Sequence, residues 1–332
     1  MMHWTRSLFC LLIFALLALA ACSDGGDGAG EPDELLSDDE APASEEASGE
    51  LTTLAYNVAG LPQEVSQENP EEHIPLISPL LNDYDIVLTQ EDFDWWQPEL
   101  DELDFANYHT RLRAQVDHPH RSEPHPGPEA VGIDVATERP ALMVGDGLGL
   151  LSRFPFDEVR RVPWEMCGEG SADCLAMKGF AMARVTLAPG LTVDVYNLHA
   201  DAGSGEPDVA ARVSGFEELA AYIEEHSAGR AIILGGDTNL HTNAASDDPR
   251  EQEDARVWET FLMQTGLIDV CNALGCEDPS RIDKFAFRTG GGIELEPLSW
   301  KFEVEKFLDA DGEALSDHDA LAVGWRWSAP GE

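Results

Sequence analysis

Four short apolar runs punctuate the chain at 51–56, 85–89, 191–196 and 231–234, and each stops beside polar residues or glycine. Runs of that length and ending predict core strands whose ends are free for chemistry. Between the last two, Val213, Phe216, Leu219, Ala220 and Ile223 recur at helical spacing, with Glu217, Glu218, Glu224 and Glu225 among them. That pattern predicts a helix packing one face on a sheet. Further strands are expected around 178–187, 281–287, 298–303 and 320–327, and no internal repeat is present.

The ends read differently. Residues 1–21 set Arg6 before an apolar run from Leu8 to Leu17 and close on Leu19, Ala20 and Ala21. The run is short for a membrane span, so it predicts a cleaved signal peptide. Small residues directly before Cys22 resemble the bacterial lipoprotein signal, which implies a lipidated Cys22 and a protein held at the cell envelope, on the outer membrane or cell surface. Residues 22–50 are acidic and small, with only Leu35 and Leu36 as sizeable apolar groups. They cannot bury enough surface to fold, and a disordered tether is expected. Residues 51–332 then suit one large α/β domain.

Composition changes the picture in two ways. The net charge is −44 at pH 7, and lysine occurs only at Lys178, Lys284, Lys301 and Lys306. Most of the acidity lies in the domain, so a basic stripe for a nucleic acid is not visible, although Arg111, Arg113, Arg121 and Arg153 are candidates for a local groove. Four cysteines remain after the leader and Cys22: Cys167, Cys174, Cys271 and Cys276. In an oxidising compartment they suggest two disulfides, and short loops favour Cys167 with Cys174 and Cys271 with Cys276 among three connectivities. A zinc site lacks both the usual spacing and an accompanying histidine. The histidines of the proline-rich segment 118–128 (His118, His120, His125) are expected on a solvated excursion, because alternating prolines prevent a ladder or helix.

Candidate chemistry sits at strand ends. Asn57 closes the first strand and Gln90-Glu91 the second, Asn197-Leu198-His199 ends the third, and Gly235-Gly236-Asp237-Thr238-Asn239 follows the fourth; Arg281-Ile282-Asp283 and Ser316-Asp317-His318 come last. Singly each has an ordinary explanation as a turn, a solvated charge or a core histidine. Together, in this order, they resemble the endonuclease/exonuclease/phosphatase superfamily, which includes deoxyribonuclease I-like nucleases, inositol polyphosphate phosphatases and neutral sphingomyelinases. The Gly-Asp-x-Asn and Ser-Asp-His elements are the most specific parts.

The resemblance implies an α/β fold, a four-layer sandwich of two packed mixed β-sheets flanked by helices. It also implies roles. Glu91 resembles the principal metal-binding carboxylate, with Asn57 beside it and Asp317 completing the site for Mg²⁺ or another divalent cation. Asp237 and Asn239 resemble the pair that orients the attacking water and holds phosphoryl oxygens. His199 resembles the phosphate-contacting histidine, and His318, oriented by Asp283, the general base. The implied activity is phosphodiester hydrolysis, which is slow enough without a catalyst to need water activation and charge stabilisation together.

Substrate is the least determined. Arg281-Ile282-Asp283-Lys284-Phe285 departs from the corresponding element of inositol polyphosphate phosphatases, whereas Asp173-Cys174-Leu175-Ala176-Met177-Lys178-Gly179-Phe180 resembles one of sphingomyelinase-like members. Trp95-Trp96, just after Glu91, are candidates for meeting lipid at the cleft mouth. A phospholipid is therefore the expected substrate. An extracellular nuclease is the alternative, and a catalytically silent surface-binding lipoprotein the alternative of another class.

Overall fold

The computed structural model describes residues 47–61, 63, 66, 68–93, 108–134, 144–168, 172–243, 245–276 and 280–329. The leader, Cys22, most of the expected tether and Trp95-Trp96 lie outside them. Two six-stranded mixed sheets form the centre. The first contains β1 (Ala47–Asn57), β2 (Ile86–Gln90), β3 (His120–Arg121), β4 (Gly149–Ser152), β11 (Glu294–Phe302) and β12 (Leu321–Ala329), in the order β11-β12-β1-β2-β4-β3. The second contains β5 (Arg160–Pro163), β6 (Gly179–Ala188), β7 (Leu191–His199), β8 (Ile232–Asp237), β9 (Ile268–Asp269) and β10 (Asp283–Arg288), in the order β5-β6-β7-β8-β10-β9. The first strand thus begins at Ala47, ahead of the expected domain start at Leu51, because Ala47 to Glu50 pair with Arg326 to Ala329 of β12.

Alternation along the strands sends one set of side chains between the sheets. Leu51, Leu88, Val195, Ile233, Phe285 and Trp325 belong to this inner core. The opposite faces are covered by helices, as a sheet apolar on both faces requires. Tyr196, Leu198 and Leu234 meet Phe216, Leu219 and Ile223 of α3 (Glu206–His226) and Trp258 and Phe261 of α4 (Pro249–Thr265). Leu54, Tyr56 and Val87 meet Ile74 and Ile77 of α1 (Pro70–Leu80), and Tyr108 and Leu112 of the short α2 (Tyr108–Leu112). The result is the four-layer α/β sandwich implied by the resemblance.

Both expected disulfides form: Cys167 with Cys174, Cα atoms 5.4 Å apart, and Cys271 with Cys276, 4.9 Å apart. The latter staples α5 (Val270–Leu274) to the loop behind it. The histidine-proline segment corrects its reading as a solvated excursion. His118 and His125 are buried, His118 Nε2 lies 2.7 Å from Tyr84 O, and His125 Nδ1 accepts from Gly127 N–H at 3.0 Å. His120 forms β3 against Ser152. Prolines stopped it from forming a helix but not from packing along a sheet edge, where the imidazoles satisfy local backbone groups.

Candidate active site

Functional groups gather at one edge because their strands end at the same level. In the first sheet Asn57 stands opposite Gln90, and Glu91 follows directly. In the second, Asp237 is in register with His199 of β7 on one side and Asp283 of β10 on the other. Asn57 joins the two rows: its Nδ2 donates to Glu91 Oε1 at 3.0 Å and to Asp237 Oδ2 at 3.2 Å. Its Oδ1 accepts from Ala59 N–H at 3.1 Å. A cross-sheet amide bridge underlies this contact. Gln90 Nε2 donates to Asn197 Oδ1 at 2.6 Å, and Asn197 Nδ2 donates to the Thr89 and Gly149 carbonyls.

Backbone conformation is unusual here. Glu91 and Asn239 have φ of 53° and 49°, a left-handed state that costs a side-chain-bearing residue roughly 1–3 kcal/mol and persists only where its surroundings impose it. Two glycines bring the strands close just before Asp237. A Cβ on Gly235 would strike the Phe285 ring, and one on Gly236, with φ 143°, the Leu198 carbonyl.

His318 arrives from the segment before β12. Its Nδ1 lies 2.8 Å from Asp283 Oδ2 and its Nε2 3.7 Å from Asp237 Oδ2. Ser316 fixes that segment, its hydroxyl donating to Asn57 O at 2.7 Å and accepting from His318 N–H at 3.2 Å. Because Ser316 and His318 turn inward, Asp317 between them is exposed, with Ser316 Oγ 3.4 Å away. His199 is buried, its Nε2 3.3 Å from Asp237 Oδ2 and 4.0 Å from Glu91 Oε1. Asn239 donates its N–H to Asp237 Oδ1 at 3.0 Å and its Nδ2 to Ala200 O at 3.1 Å.

The electrostatics centre on Asp237 and His318. Burial opposes the charge on Asp237, but the hydrogen bond and charge of His199, with His318 and Lys178 nearby, hold it well below the usual carboxylate range. Burial disfavours the His318 cation too, yet the hydrogen bond and charge of Asp283, with Asp237 and Asp317, raise it to about 10. The fit to a hard divalent cation is good. Ligand atoms of Asp237, Asp283 and His318 all lie within 4.8 Å of one another, and Asp283 Oδ1 is buried without a partner. Of the expected metal set, Glu91 and Asn57 adjoin this cluster, while Asp317 stands at its solvent side.

Some contributors escaped the reading of the sequence. Lys178 and Asp173, noted only as part of a branch-like element, form a buried ion pair. Lys178 Nζ reaches Ala200 O at 3.4 Å and Asp173 Oδ2 accepts from Ala202 N–H at 2.7 Å, which fixes the loop after His199. Trp164 Nε1 donates to His199 O at 2.9 Å. The four candidate arginines do not make an open groove. Arg113 pairs with Asp92, Arg153 with Asp117, Arg111 lies 3.9 Å from Glu71, and Arg121 is spent on the His118 and Val116 carbonyls.

Two stacked mixed sheets with an acid and histidine cluster at their common edge define the deoxyribonuclease I-like fold. Residues 54–318 match the Endonuclease/Exonuclease/phosphatase family, and the chain belongs to it. A sphingomyelinase of Mycobacterium tuberculosis is 31% identical over 298 residues, which cover 85% of this chain and 54% of that protein. The chain thus spans about half the length of the curated relatives it matches. Among solved structures, a mutant beta toxin from Staphylococcus aureus with bound magnesium ions superposes with TM-score 0.56 at 15% identity, over 83% of this chain and 99% of the toxin. TDP2 of D. rerio, complexed with a single-strand DNA product, gives 0.53 at 18% identity, over 83% and 99%. These likenesses establish the fold.

Proposed function

We propose that this chain is a secreted, divalent-cation-dependent phosphodiesterase of the phospholipase C type, acting on sphingomyelin or a related phospholipid and anchored to the cell envelope through Cys22. The observation that carries the chemistry is the position of Asp237, a buried carboxylate that faces His199, His318 and Asn57 at once, the last also holding Glu91. The substrate reading is supported by the sphingomyelinase relatives and by charge. An acidic surface whose four candidate groove arginines are engaged repels a row of phosphates but tolerates a head group with one phosphate and one cation.

The residues divide the work. Asp283 orients His318 through Nδ1, leaving Nε2 to accept a proton from water on the Asp237 side. Asp237 keeps that water aligned and Asn239, fixed by Asp237 and Ala200, presents its edge to the phosphoryl group. Magnesium, for which Asp237, Asp283 and Glu91 supply hard oxygen donors, would polarise a phosphoryl oxygen when bound. The water oxygen bonds to phosphorus as the bond to the ceramide or diacylglycerol oxygen breaks, and that oxygen leaves as the alcohol by taking a proton from solvent while His318 returns its own. No covalent intermediate is required.

The test is a comparison of kcat/KM for sphingomyelin, phosphatidylcholine, DNA and an inositol polyphosphate at several salt concentrations, with and without chelator. Cation-dependent lipid hydrolysis that exceeds DNA cleavage is expected. DNA as the better substrate at moderate salt would transfer the reading to an extracellular nuclease, and no turnover with any phosphodiester would leave a silent binding protein.

A further inference from the structure

Strand β11, at the outer edge of the first sheet, contacts α5, which follows β9 at the outer edge of the second. Between them lies a groove of about 680 Å³, within the range of ligand pockets. The ladder from β11 to β12 shifts register between Pro297 and Ser299 and leaves Leu298 unpaired, a kind of irregularity that re-aims the side chains around it. Leu298 is 39% exposed. Trp300 and Phe302 further along the strand are half-buried, their rings edge to face with centroids 5.0 Å apart. Leu274 and the disulfide-bonded Cys276 line the α5 side, and Val304, 53% exposed, follows the end of β11.

Among the described residues nine large apolar side chains are exposed, and three of them, Leu274, Leu298 and Val304, line this one groove. Single exposed leucines are ordinary, whereas a contiguous apolar patch marks a binding surface. The charges of the described lining are already paired, Arg281 with Asp319 and Lys301 Nζ with Glu303 Oε2 at 2.6 Å. Arg281 also lies over the Phe302 ring, 4.2 Å from its centroid. Such walls offer little to a polar ligand and much to a hydrocarbon.

Position identifies the occupant. Arg281 stands two residues before Asp283 and Asp319 directly follows His318, so their ion pair ties the groove to the His318–Asp283 pair. Arg281 and Trp300 also border the narrow space at Asp283 itself. A lipid whose phosphate reaches Asp237 therefore finds apolar walls adjoining the reaction for the chains of its departing alcohol. We infer that the groove is a hydrocarbon-chain subsite that holds one acyl or sphingoid chain of the lipid being cleaved, with Leu298 and Val304 as specificity-determining residues. The inference rests on the phospholipase reading above and deepens it, from the head group to the chain.

The experiment measures kcat/KM of the full chain, Leu298→Ser and Val304→Ser on short-chain phosphatidylcholines and short-chain sphingomyelins, with butanoyl to heptanoyl chains, each below its micelle concentration. Monomeric substrate separates a chain held in a groove from adsorption to an interface. Burying one methylene is worth up to about fourfold, so the wild type should gain at least about tenfold from butanoyl to heptanoyl in whichever series it cleaves. Each substitution should lower the heptanoyl-to-butanoyl ratio about fourfold, the worth of one methylene contact. Both side chains are exposed, so folding should survive, and unchanged melting checks it. A wild-type rate that ignores chain length overturns this inference alone, as does a ratio that neither variant moves. Loss of vesicle binding or of a dimer in the variants, with that ratio intact, gives the groove to a bilayer surface or to a second copy and overturns it too. Hydrolysis of neither series overturns the phospholipase reading beneath it.

Discussion

His318 Nδ1 lies 2.8 Å from Asp283 Oδ2, although Asp283 opens β10 of the second sheet and His318, 35 positions on, precedes β12 of the first. In the proposed mechanism the pair fixes which imidazole nitrogen faces the reaction. His318→Ala should lower kcat by about 10²–10⁴-fold, with folding retained. Since Asp283 acts through His318, the double variant should be scarcely worse than His318→Ala alone. Multiplicative losses in single-turnover assays would show that the two residues act separately.

Cation binding should release a proton. Asp283 and Asp237 raise His318 to about 10, so in the cation-free protein the imidazole is charged at neutral pH. A divalent ion beside Asp237 opposes that charge and expels the proton, which the base needs to have lost before it can act. Titration calorimetry with Mg²⁺ in buffers of different ionisation enthalpy should report about one proton per ion near pH 8. Equal heats in all buffers would mean that His318 is already neutral. Glu91→Ala should weaken the ion binding itself.

Much of the fold was legible because strands such as β7 and β8 are short, largely apolar at their starts and buried along most of their length. Helix α4 was not anticipated: its apolar stripe of Ala255, Trp258 and Phe261 is narrow within a strongly charged segment. Helix α1 was hidden by Pro75 and Pro79 inside it, residues that normally end helices. Strands β5 and β9 are short, and β5 carries two arginines. At the site, motif order located His318, Asp283, Asp237 and Glu91. What periodicity could not supply was register, which sets Asp237 between His199 and Asp283, or the inward turn of Ser316 that leaves Asp317 in solvent.

Asp92 supplies a pH test of stability away from the chemistry. It is buried, with Arg113 Nη1 at 2.6 Å and His109 Nδ1 at 3.2 Å. Burial opposes its charge, but Arg113 and His109 lower it to about 2. A folded carboxyl that ionises below its unfolded counterpart stabilises fully above about pH 4 and loses that contribution as the pH falls through about 2. Asp92→Asn leaves Arg113, whose side chain is 11% exposed, without its anion and should cost about 3 kcal/mol at pH 7. The gap in melting temperature between wild type and variant should narrow as pH drops from 5 to about 2. A gap constant across that range would show that the loss comes from packing rather than from the ion pair.

The proposed anchoring has its own test at Cys22, which the Leu19-Ala20-Ala21-Cys22 pattern nominates as the lipid acceptor. Two or more acyl chains hold a protein on a bilayer at about 0.8 kcal/mol per buried methylene, whereas the acidic residues between Cys22 and β1 have no attraction for an anionic membrane surface. Cys22→Ser should therefore move processed protein from the membrane fraction to the soluble one while leaving turnover on dispersed substrate unchanged. Processing must be checked by the mass of the mature N-terminus, because an uncleaved leader would itself retain the chain. If correctly processed Cys22→Ser protein stays with the membrane and resists high salt, the anchor lies elsewhere. Release by salt alone would point to weak electrostatic adsorption, which this charge makes a poor substitute for lipid.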